Sequence, residues 1–379
     1  MTSPEGYLPI TRPVLGEPEV AAVRRCLESG WVTQGPMTAA LEERFARMHG
    51  VAHALACTNC TAALHIAMLA LGVGPGDEVV VPAFTWVTCA HAAEYVGARP
   101  VFCDIDPATF NVDVASMEAA VTARTRVLMP VHLFGLAADM DAVERVAGRH
   151  SLAVVEDAAC AIGTVHRGRP VGGLGAIGCF SFHPRKVVTT GEGGMLTTQD
   201  AGLAAAVRRL RNHGASPAGP GRPYELGPFD HLGGNYRLSD IQAAVGLAQM
   251  DRVEGLIEER RALARRYDEL LKPIAWIERP VEPDGYRHTY QSYVVRLDDD
   301  APRPRNEIML DLERRGIQTR PGTVAVHTTG FYREKYGLRP EDCPHAFRAQ
   351  EATLTLPLFP GMTEADQERV VGALQAIGD

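Results

Sequence analysis

The strongest constraint on the fold of this chain is a series of short, continuously apolar runs that alternate with helical patterns. The runs lie at residues 78–83, 100–106, 127–133, 152–156 and 178–182. Runs of this kind are typical of strands that are buried on both faces. Helical patterns, such as those at residues 114–121 and 140–149, separate them. This alternation predicts an α/β fold with a mainly parallel sheet covered by helices on both sides.

A long helical pattern that begins near Ser239 divides the chain. Ser239 and Gln242 have the spacing of a capping box, and the apolar residues that follow fall on one helical face. We place the domain boundary in this pattern. Residues 1–250 would form a large α/β domain and residues 251–379 a smaller α+β domain, with a strand at 292–297. The Gly/Pro-rich stretch at 215–228 is expected to be a loop.

The composition is that of an ordinary soluble protein. Hydrophobic residues make up 46% of the chain and charged residues 22%, and the net charge of -8 gives no sign of a nucleic-acid-binding surface. The N-terminus lacks the features of a signal peptide, and no stretch approaches the length of a membrane-spanning helix. Eight cysteines without a regular framework are typical of reduced thiols. We therefore expect a cytoplasmic protein with no nucleic-acid or membrane partner.

Cys57 and Cys60 form a C-x-x-C pair, which is the pattern of a redox pair or of half a zinc site. No second pair and no suitably spaced pair of histidines accompanies it. Buried thiols at a helix start are the better interpretation, and no metal site is predicted.

Ligands of open α/β sheets bind beyond the carboxyl ends of the strands. Asp157 follows the run at 152–156, where it is either a helix cap or a site carboxylate. Lys186 follows the run at 178–182, and two valines and a glycine-rich turn at 191–194 come after it. An ordinary surface lysine lacks such neighbours. A partly buried lysine can instead become a nucleophile toward a carbonyl group.

Several side chains near the same strand ends have two interpretations. Ser181 and the helix start at residues 59–63 offer a phosphate site, although most helix starts bind nothing. Trp86 either belongs to the core or stacks on a flat aromatic cofactor. Arg237 is either solvated or a partner for a carboxylate or phosphate, and His327 is either a site group or a satisfied loop histidine.

Together these segments resemble the DegT/DnrJ/EryC1/StrS family of sugar aminotransferases, which are fold-type I enzymes that depend on pyridoxal 5'-phosphate (PLP). The resemblance runs from Ile10 to the end of the chain and is carried by TNCTAALHIAM, PAFTW, VEDAA, SFHPRKVVTTGEGGML, GGNYRLSDIQAAVGLAQM and LPLFPGMTEAD. TTGEGGM and GIQTRPGT are especially similar to perosamine-synthase-type members, which aminate carbon 4 of a nucleotide-linked keto sugar. The resemblance implies an aminotransferase that takes an amino group from L-glutamate or glutamine, passes it through pyridoxamine 5'-phosphate (PMP), and delivers it to a keto sugar. A nucleotide-linked 4-keto-6-deoxy sugar is the expected acceptor.

The resemblance also implies roles for matching residues. Lys186 would hold the cofactor as a Schiff base and move protons, and Asp157 would pair with the pyridine nitrogen and keep the ring an electron sink. Trp86 would stack on the ring. The phosphate would be held by Ser181 and by the helix start that comprises Cys60, Thr61 and Ala62.

Other implied roles concern the substrate and a second subunit. Asn235 would reach the cofactor phosphate of the neighbouring subunit, which implies a homodimer with shared active sites. The residues expected near the substrate are Arg237, His327 and His183.

The chain departs from the family pattern at four positions. Cys60 stands where glycine is usual, and Cys160 stands where glutamine is common, at the contact to the cofactor's ring hydroxyl. Arg185 replaces a threonine or asparagine and adds a charge that would favour an anionic or an unusual substrate, and Val324 stands where close relatives tend to carry histidine. Because relatives that act as sugar dehydratases carry histidine in place of Lys186, transamination is the expected reaction.

Three alternatives stay open at this point. The acceptor could be a keto-cyclitol of an antibiotic pathway or another small ketone. The chain could also be a non-catalytic regulator that senses PLP or a sugar, although the intact lysine and aspartate speak against this. A P-loop or dinucleotide-binding enzyme is disfavoured because neither glycine motif lies between a strand and a helix.

Overall fold

The computed structural model describes residues 6–216 and 227–378. In these ranges the helices are α1 Glu17–Glu28, α2 Pro36–His49, α3 Cys60–Ala70, α4 Thr88–Tyr95, α5 Val114–Ala119, α6 Met140–His150, α7 Ala201–Leu210, α8 Asp240–Met250, α9 Val253–Leu270, α10 Arg305–Arg314, α11 Gly330–Tyr336, α12 Pro344–Ala352 and α13 Glu364–Gly378. The strands are β1 His53–Cys57, β2 Glu78–Pro82, β3 Phe84–Thr85, β4 Arg99–Cys103, β5 Thr125–Leu128, β6 Ala153–Asp157, β7 Val165–His166, β8 Arg169–Pro170, β9 Ile177–Ser181, β10 Gly194–Thr198, β11 Ile277–Glu278, β12 Tyr286–Arg287, β13 Tyr293–Leu297, β14 Val324–Ala325 and β15 Thr353–Leu356.

The central sheet has seven strands in the order β1-β10-β9-β6-β5-β2-β4. The five apolar runs of the sequence form β2, β4, β5, β6 and β9, which pair in parallel. β10 is antiparallel to both of its neighbours, β1 and β9. The predicted α/β fold with a mainly parallel sheet is thus confirmed.

Both faces of this sheet are covered. Cys179 and Phe180 are adjacent in β9, yet they belong to different buried clusters, because successive side chains of a strand point to opposite faces. One cluster contains the apolar face of α3, including the fully buried Ala67 and Met68. The other contains Phe45 of α2. The sheet is therefore the middle layer of three.

The long helical pattern after Ser239 is divided into α8 and α9, which are separated at residues 251–252. The predicted capping box is present, with Ser239 as the N-cap of α8 and Gln242 as its partner. Beyond α9, the predicted strand at 292–297 appears as β13, the middle strand of an antiparallel sheet of three. The division at residues 250 and 251 stays a prediction. Strands β12 and β14 of the C-terminal part pair with β7 and β3 of the N-terminal part.

Most of the predicted loop at 215–228 lies outside the described residues. Within the described ranges, none of the helices combines the length and the apolar character that a membrane crossing requires.

Candidate active site

A cavity of about 350 Å³ lies where parallel strands of the central sheet end. Its lining includes Val131 beyond β5, Asp157 at the end of β6 and Ser181 at the end of β9. The carboxyl ends of parallel strands meet at one edge of a sheet. Side chains that are far apart in sequence therefore converge here, as the sequence predicts.

Lys186 reaches this cavity from the turn that follows β9. The side chain is half-buried, and its Nζ lies 3.0 Å from the Sγ of Cys160. Cys160 follows β6, the parallel neighbour of β9, so the strand pairing brings the two residues together. The lysine expected to hold the cofactor thus stands beside the cysteine that departs from the family pattern.

Asp157 is buried at the wall of the same cavity and held at both oxygens. Its Oδ1 accepts a hydrogen bond from the backbone N–H of Ala159 at 3.0 Å, and its Oδ2 accepts one from the Sγ of Cys89 at 2.8 Å. Burial, and then the charge of Asp157, raises the pKa of Cys89 well above the usual thiol value, so this thiol keeps its proton. Asp157 is both a local cap for the following turn and a fixed carboxylate that faces the cavity.

Glu156, the neighbour of Asp157 in β6, points away from the cavity. It is fully buried, with Oε2 3.0 Å from the Nε2 of His132, and it accepts backbone hydrogen bonds from Gly172, Leu174 and Gly175. Burial alone would raise the pKa of Glu156, but these donors hold it below its usual value. Because successive side chains of a strand point to opposite faces, Asp157 faces the cavity and Glu156 is buried inside the protein.

The start of α3 borders the cavity with free backbone donors. Asn59 caps the helix and takes the N–H of Ala62 on its Oδ1 at 2.8 Å. Cys60 and Thr61 line the cavity, and no acceptor within the described residues takes their N–H groups. The N–H of Ala62 donates to this cap, and the expected role of Ala62 at the phosphate stays a prediction.

The glycine-rich turn allows the backbone to approach the start of α3 closely. A Cβ on Gly194 would lie 2.5 Å from the carbonyl carbon of Asn59, and Gly191 has a φ of +82°. Larger residues at Gly194 would push the helix start away from the cavity. The turn therefore positions the donors of Cys60 and Thr61.

Aromatic and cationic side chains line the cavity farther from Asp157. Trp86 is 58% exposed, which rules out the core interpretation of this residue. Arg185 and Arg320 line the cavity, and both side chains are exposed. His183 also lines it, and burial followed by the charge of Arg185 lowers its pKa. A neutral imidazole and two guanidinium groups therefore face the solvent-filled space.

Besides Ala62, three predicted residues do not line the cavity. His327 is fully buried near Phe102, with a distance of 6.3 Å between the ring centroids. The Nη1 of Arg237 donates to the Oδ1 of Asn212 at 2.6 Å, and Asn235 is exposed beside it. The expectation that His327 lies near the substrate is at odds with this burial, because the helical turn at 326–328 directs the ring into the core.

Sequence reasoning missed several residues that the fold brings to the site. Cys89 belongs to none of the sequence motifs, and only the fold brings it to Asp157. Arg320 lies in the GIQTRPGT stretch, which indicates the family but not the role of this arginine. Ile10 and Thr11 also line the cavity. The carbonyl oxygen of Ile10 accepts a hydrogen bond from the N–H of Leu358 at 3.1 Å, and this bond holds the N-terminal segment at the cavity.

One group of side chains outside the cavity has the spacing of metal ligands. Asp139, Asp141 and His166 have ligand atoms within 4.8 Å of one another. Asp141, however, is engaged by the guanidinium groups of Arg167 and Arg169. This carboxylate is already neutralised, so the group gives no reason to revise the expectation of no metal site.

The residues at the cavity fit a phosphorylated pyridine cofactor. Free N–H groups and the Ser181 hydroxyl suit a phosphate, a fixed buried carboxylate suits a pyridinium nitrogen, and a lysine amine suits an aldehyde carbon. The fold and the site together define a PLP-dependent enzyme of fold type I.

Comparisons with known proteins agree with this class. Residues 13–375 match the model of the DegT/DnrJ/EryC1/StrS aminotransferase family. The chain is 41% identical over 370 residues to the GDP-perosamine synthase of Caulobacter vibrioides, and this match covers 97% of both chains. It superposes with a TM-score of 0.91 on the aminotransferase TlmJ from Streptoalloteichus hindustanus, at 34% identity and 98% coverage of both chains. The sugar aminotransferase Spr1654 of Streptococcus pneumoniae, described as putative and solved in PLP and PMP forms, is 27% identical with a TM-score of 0.92, and the match covers 98% of this chain and at least 97% of Spr1654.

The chain belongs to the DegT/DnrJ/EryC1/StrS aminotransferase family. It is a PLP-dependent sugar aminotransferase, and its cofactor is PLP, which becomes PMP when it carries the amino group.

Proposed function

We propose that the protein transfers the amino group of L-glutamate or L-glutamine to a nucleotide-linked 4-keto-6-deoxy sugar. The observation that carries this proposal is the pair of arginines on the cavity wall. Arg185 and Arg320 both line the cavity, and neither forms an ion pair with a carboxylate of the described residues. A guanidinium group binds phosphate strongly, often through two parallel hydrogen bonds. A sugar that carries a diphosphate would supply the missing anion.

The similarity to a GDP-perosamine synthase supports a nucleotide-linked acceptor. The match extends over 97% of both chains, so the similarity is not confined to one part of the fold. A free keto-cyclitol has no phosphate for the two arginines. The cyclitol alternative is therefore less consistent with the charges of the site.

We propose the following roles for the residues at the cofactor. When bound, PLP supplies an electron sink for the carbanion that forms at the donor's α carbon. Asp157 holds the proton of the ring nitrogen, and the thiol of Cys89 keeps this carboxylate in place. The Nζ of Lys186 takes the proton from the α carbon. The backbone N–H groups of Cys60 and Thr61 bind the phosphate, together with the Ser181 hydroxyl.

The remaining roles concern the ring and the substrate. Trp86 would stack on the ring, and Cys160 would stand at the ring hydroxyl. The neutral His183 can accept or donate a hydrogen bond at the substrate without adding charge, because its pKa is lowered. Arg237 is a candidate only if the Asn212 contact opens.

We also propose a homodimer in which Asn235 of each subunit approaches the cofactor phosphate of the other. The exposed side chains near it support a partner surface, since Leu232 is 94% and Phe229 59% exposed. A second copy would cover these side chains. The cytoplasm is the proposed location, because all eight cysteines are free thiols.

Acceptor competition tests the proposed substrate. The purified enzyme, loaded with PLP and L-glutamate, is offered a GDP-linked 4-keto-6-deoxyhexose and a free keto-cyclitol, and the amino products are identified by mass spectrometry. Amination of the nucleotide sugar is the expected result. Amination of the cyclitol alone would show that the proposed acceptor is wrong. If the PLP-loaded protein aminates neither ketone, a sensing role is favoured.

A further inference from the structure

Cys160 differs from every other cysteine of the chain in its exposure. It is half-buried at the cavity wall, whereas the other seven cysteines are buried. Burial also raises the pKa of those seven thiols, well above the usual value for Cys60, Cys89, Cys103 and Cys179. Reactivity toward oxidants follows the thiolate and its accessibility. Cys160 is therefore the thiol that a small oxidant can reach and attack.

The second observation is the partner of this thiol. Lys186 Nζ lies 3.0 Å from the Sγ of Cys160, so the nitrogen and the sulfur lie within hydrogen-bond distance of each other. The parallel pairing of β6 and β9 fixes the two turns that carry these residues, so the contact does not depend on a mobile segment.

We propose that Cys160 and Lys186 form an oxidative modification site, at which a peroxide links the sulfur to the lysine nitrogen and so blocks the amine that the cofactor needs. The site is available in the PMP form, because PMP carries a free amino group and has no covalent bond to Lys186. In the PLP form the lysine nitrogen is engaged by the cofactor and cannot join the sulfur.

The chemistry balances in two steps. The sulfur of Cys160 attacks one oxygen of the peroxide and the O–O bond breaks. The thiol proton passes to the departing oxygen, so a sulfenic acid and water (or an alcohol) result. The Lys186 amine then attacks the sulfenic sulfur, the S–O bond breaks, and the departing hydroxide takes the amine proton as water. The sulfur is oxidised by two electrons and the peroxide is reduced. Two equivalents of a small thiol return both side chains to their starting state and form a disulfide.

The test uses the holoenzyme in its two cofactor forms. Protein reconstituted with PMP and protein reconstituted with PLP are treated with dilute hydrogen peroxide, digested without reductant and analysed by mass spectrometry. The expected product of the PMP form is a linked pair of peptides that contain Cys160 and Lys186. The mass of the linked pair is the sum of the masses of the two peptides less two hydrogen atoms. Dithiothreitol should reduce the link and release the two peptides. The PLP form is expected to lack the link.

Two variants sharpen the test. Cys160→Ser should abolish the linked pair, whereas Cys343→Ser, which changes a buried cysteine away from the cavity, should keep it. Because the comparison of the two cofactor forms needs no variant, a folding defect in Cys160→Ser would not hide the answer. Oxidation of Cys160 to a sulfenic acid without a link to Lys186, equal linkage in both forms, or oxidation of the buried cysteines instead would each overturn the proposal.

Discussion

The Sγ of Cys89 lies 2.8 Å from the Oδ2 of Asp157, within a site where Asp157 is only 4% exposed. Cys89 belongs to α4 and Asp157 to β6, so this bond joins the helix after β3 to the carboxylate of the cofactor site. The Oγ1 of Thr85 lies 3.4 Å from the same sulfur. The orientation of Asp157 thus depends on a thiol that no motif identifies.

Replacement of Cys89 by alanine should weaken the site without unfolding the protein. A buried carboxylate oxygen would lose a donor, which costs about 1–3 kcal/mol. We expect Cys89→Ala to lower kcat about tenfold and to release PLP more readily on dilution, and Cys89→Ser to retain most of both. Cys103→Ala is the matched control, because Cys103 is equally buried and donates to the Val81 carbonyl outside the cavity. Equal losses in Cys89→Ala and Cys103→Ala would contradict this role.

Replacement of Arg185 by threonine should act on the acceptor and not on the donor. Loss of a charged hydrogen bond to a phosphate is expected to raise the KM for the nucleotide sugar about tenfold, with a smaller change in kcat. Steady-state kinetics with each substrate varied in turn gives the answer. Arg303→Thr, a change at an exposed arginine away from the cavity, serves as the control. A raised KM for L-glutamate instead would assign Arg185 to the donor carboxylate.

Substitutions of the two adjacent acids of β6 should have different effects, one on stability and the other on cofactor binding. Glu156→Gln replaces an acceptor that holds His132 and three backbone N–H groups. We expect it to cost about 3 kcal/mol in the free energy of unfolding, while the folded fraction still binds PLP. Asp157→Asn should leave the free energy of unfolding nearly unchanged and weaken the binding of PLP. Thermal unfolding and the absorption of bound cofactor, measured on both variants, distinguish the two effects, and identical phenotypes would argue against the opposite orientations.

The sequence predicts the parallel strands and the convergence of Lys186 and Asp157 because both depend on local signals, namely apolar runs and the positions just after them. β10 was missed because its GMLTT sequence follows a glycine-rich turn and has little apolar character. Strand β1 contains alanines in place of β-branched residues and gives an equally weak signal.

The remaining site residues depend on long-range packing. Arg320 reaches the cavity because its backbone pairs with Thr355 at the edge of the C-terminal sheet. His327 is directed into the core by a helical turn, which the sequence around this histidine does not reveal. Such placements follow from the whole fold, so sequence spacing alone cannot assign them.

A buried histidine should make the stability of the protein depend on pH. His49 is 2% exposed, and its Nδ1 lies 2.9 Å from the Val171 carbonyl oxygen. Burial lowers the pKa of His49 from 6.5 to about 4. Between these values the unfolded chain binds a proton that the folded protein does not. The free energy of unfolding should therefore be highest above pH 6.5 and fall toward pH 4, by up to about 3 kcal/mol from this group.

Denaturant unfolding of the protein and of His49→Phe at a series of pH values measures this contribution. The variant lacks the titrating group but keeps an aromatic ring beside Phe45, which stacks on His49 with a centroid distance of 4.5 Å. The free energy of unfolding of the protein should fall relative to that of the variant as the pH falls through this window. Parallel curves would show that His49 does not set the pH dependence.

The most direct test of the central claim is the visible absorption spectrum of the protein with PLP, before and after L-glutamate, with Lys186→Ala measured beside it. The account predicts that the protein shows the band of a cofactor bound covalently to Lys186, and that this band fades on addition of L-glutamate as PMP forms. Lys186→Ala should lack the band. A protein that takes up no PLP, or a Lys186→Ala variant with the same spectrum and the same response, would contradict the account.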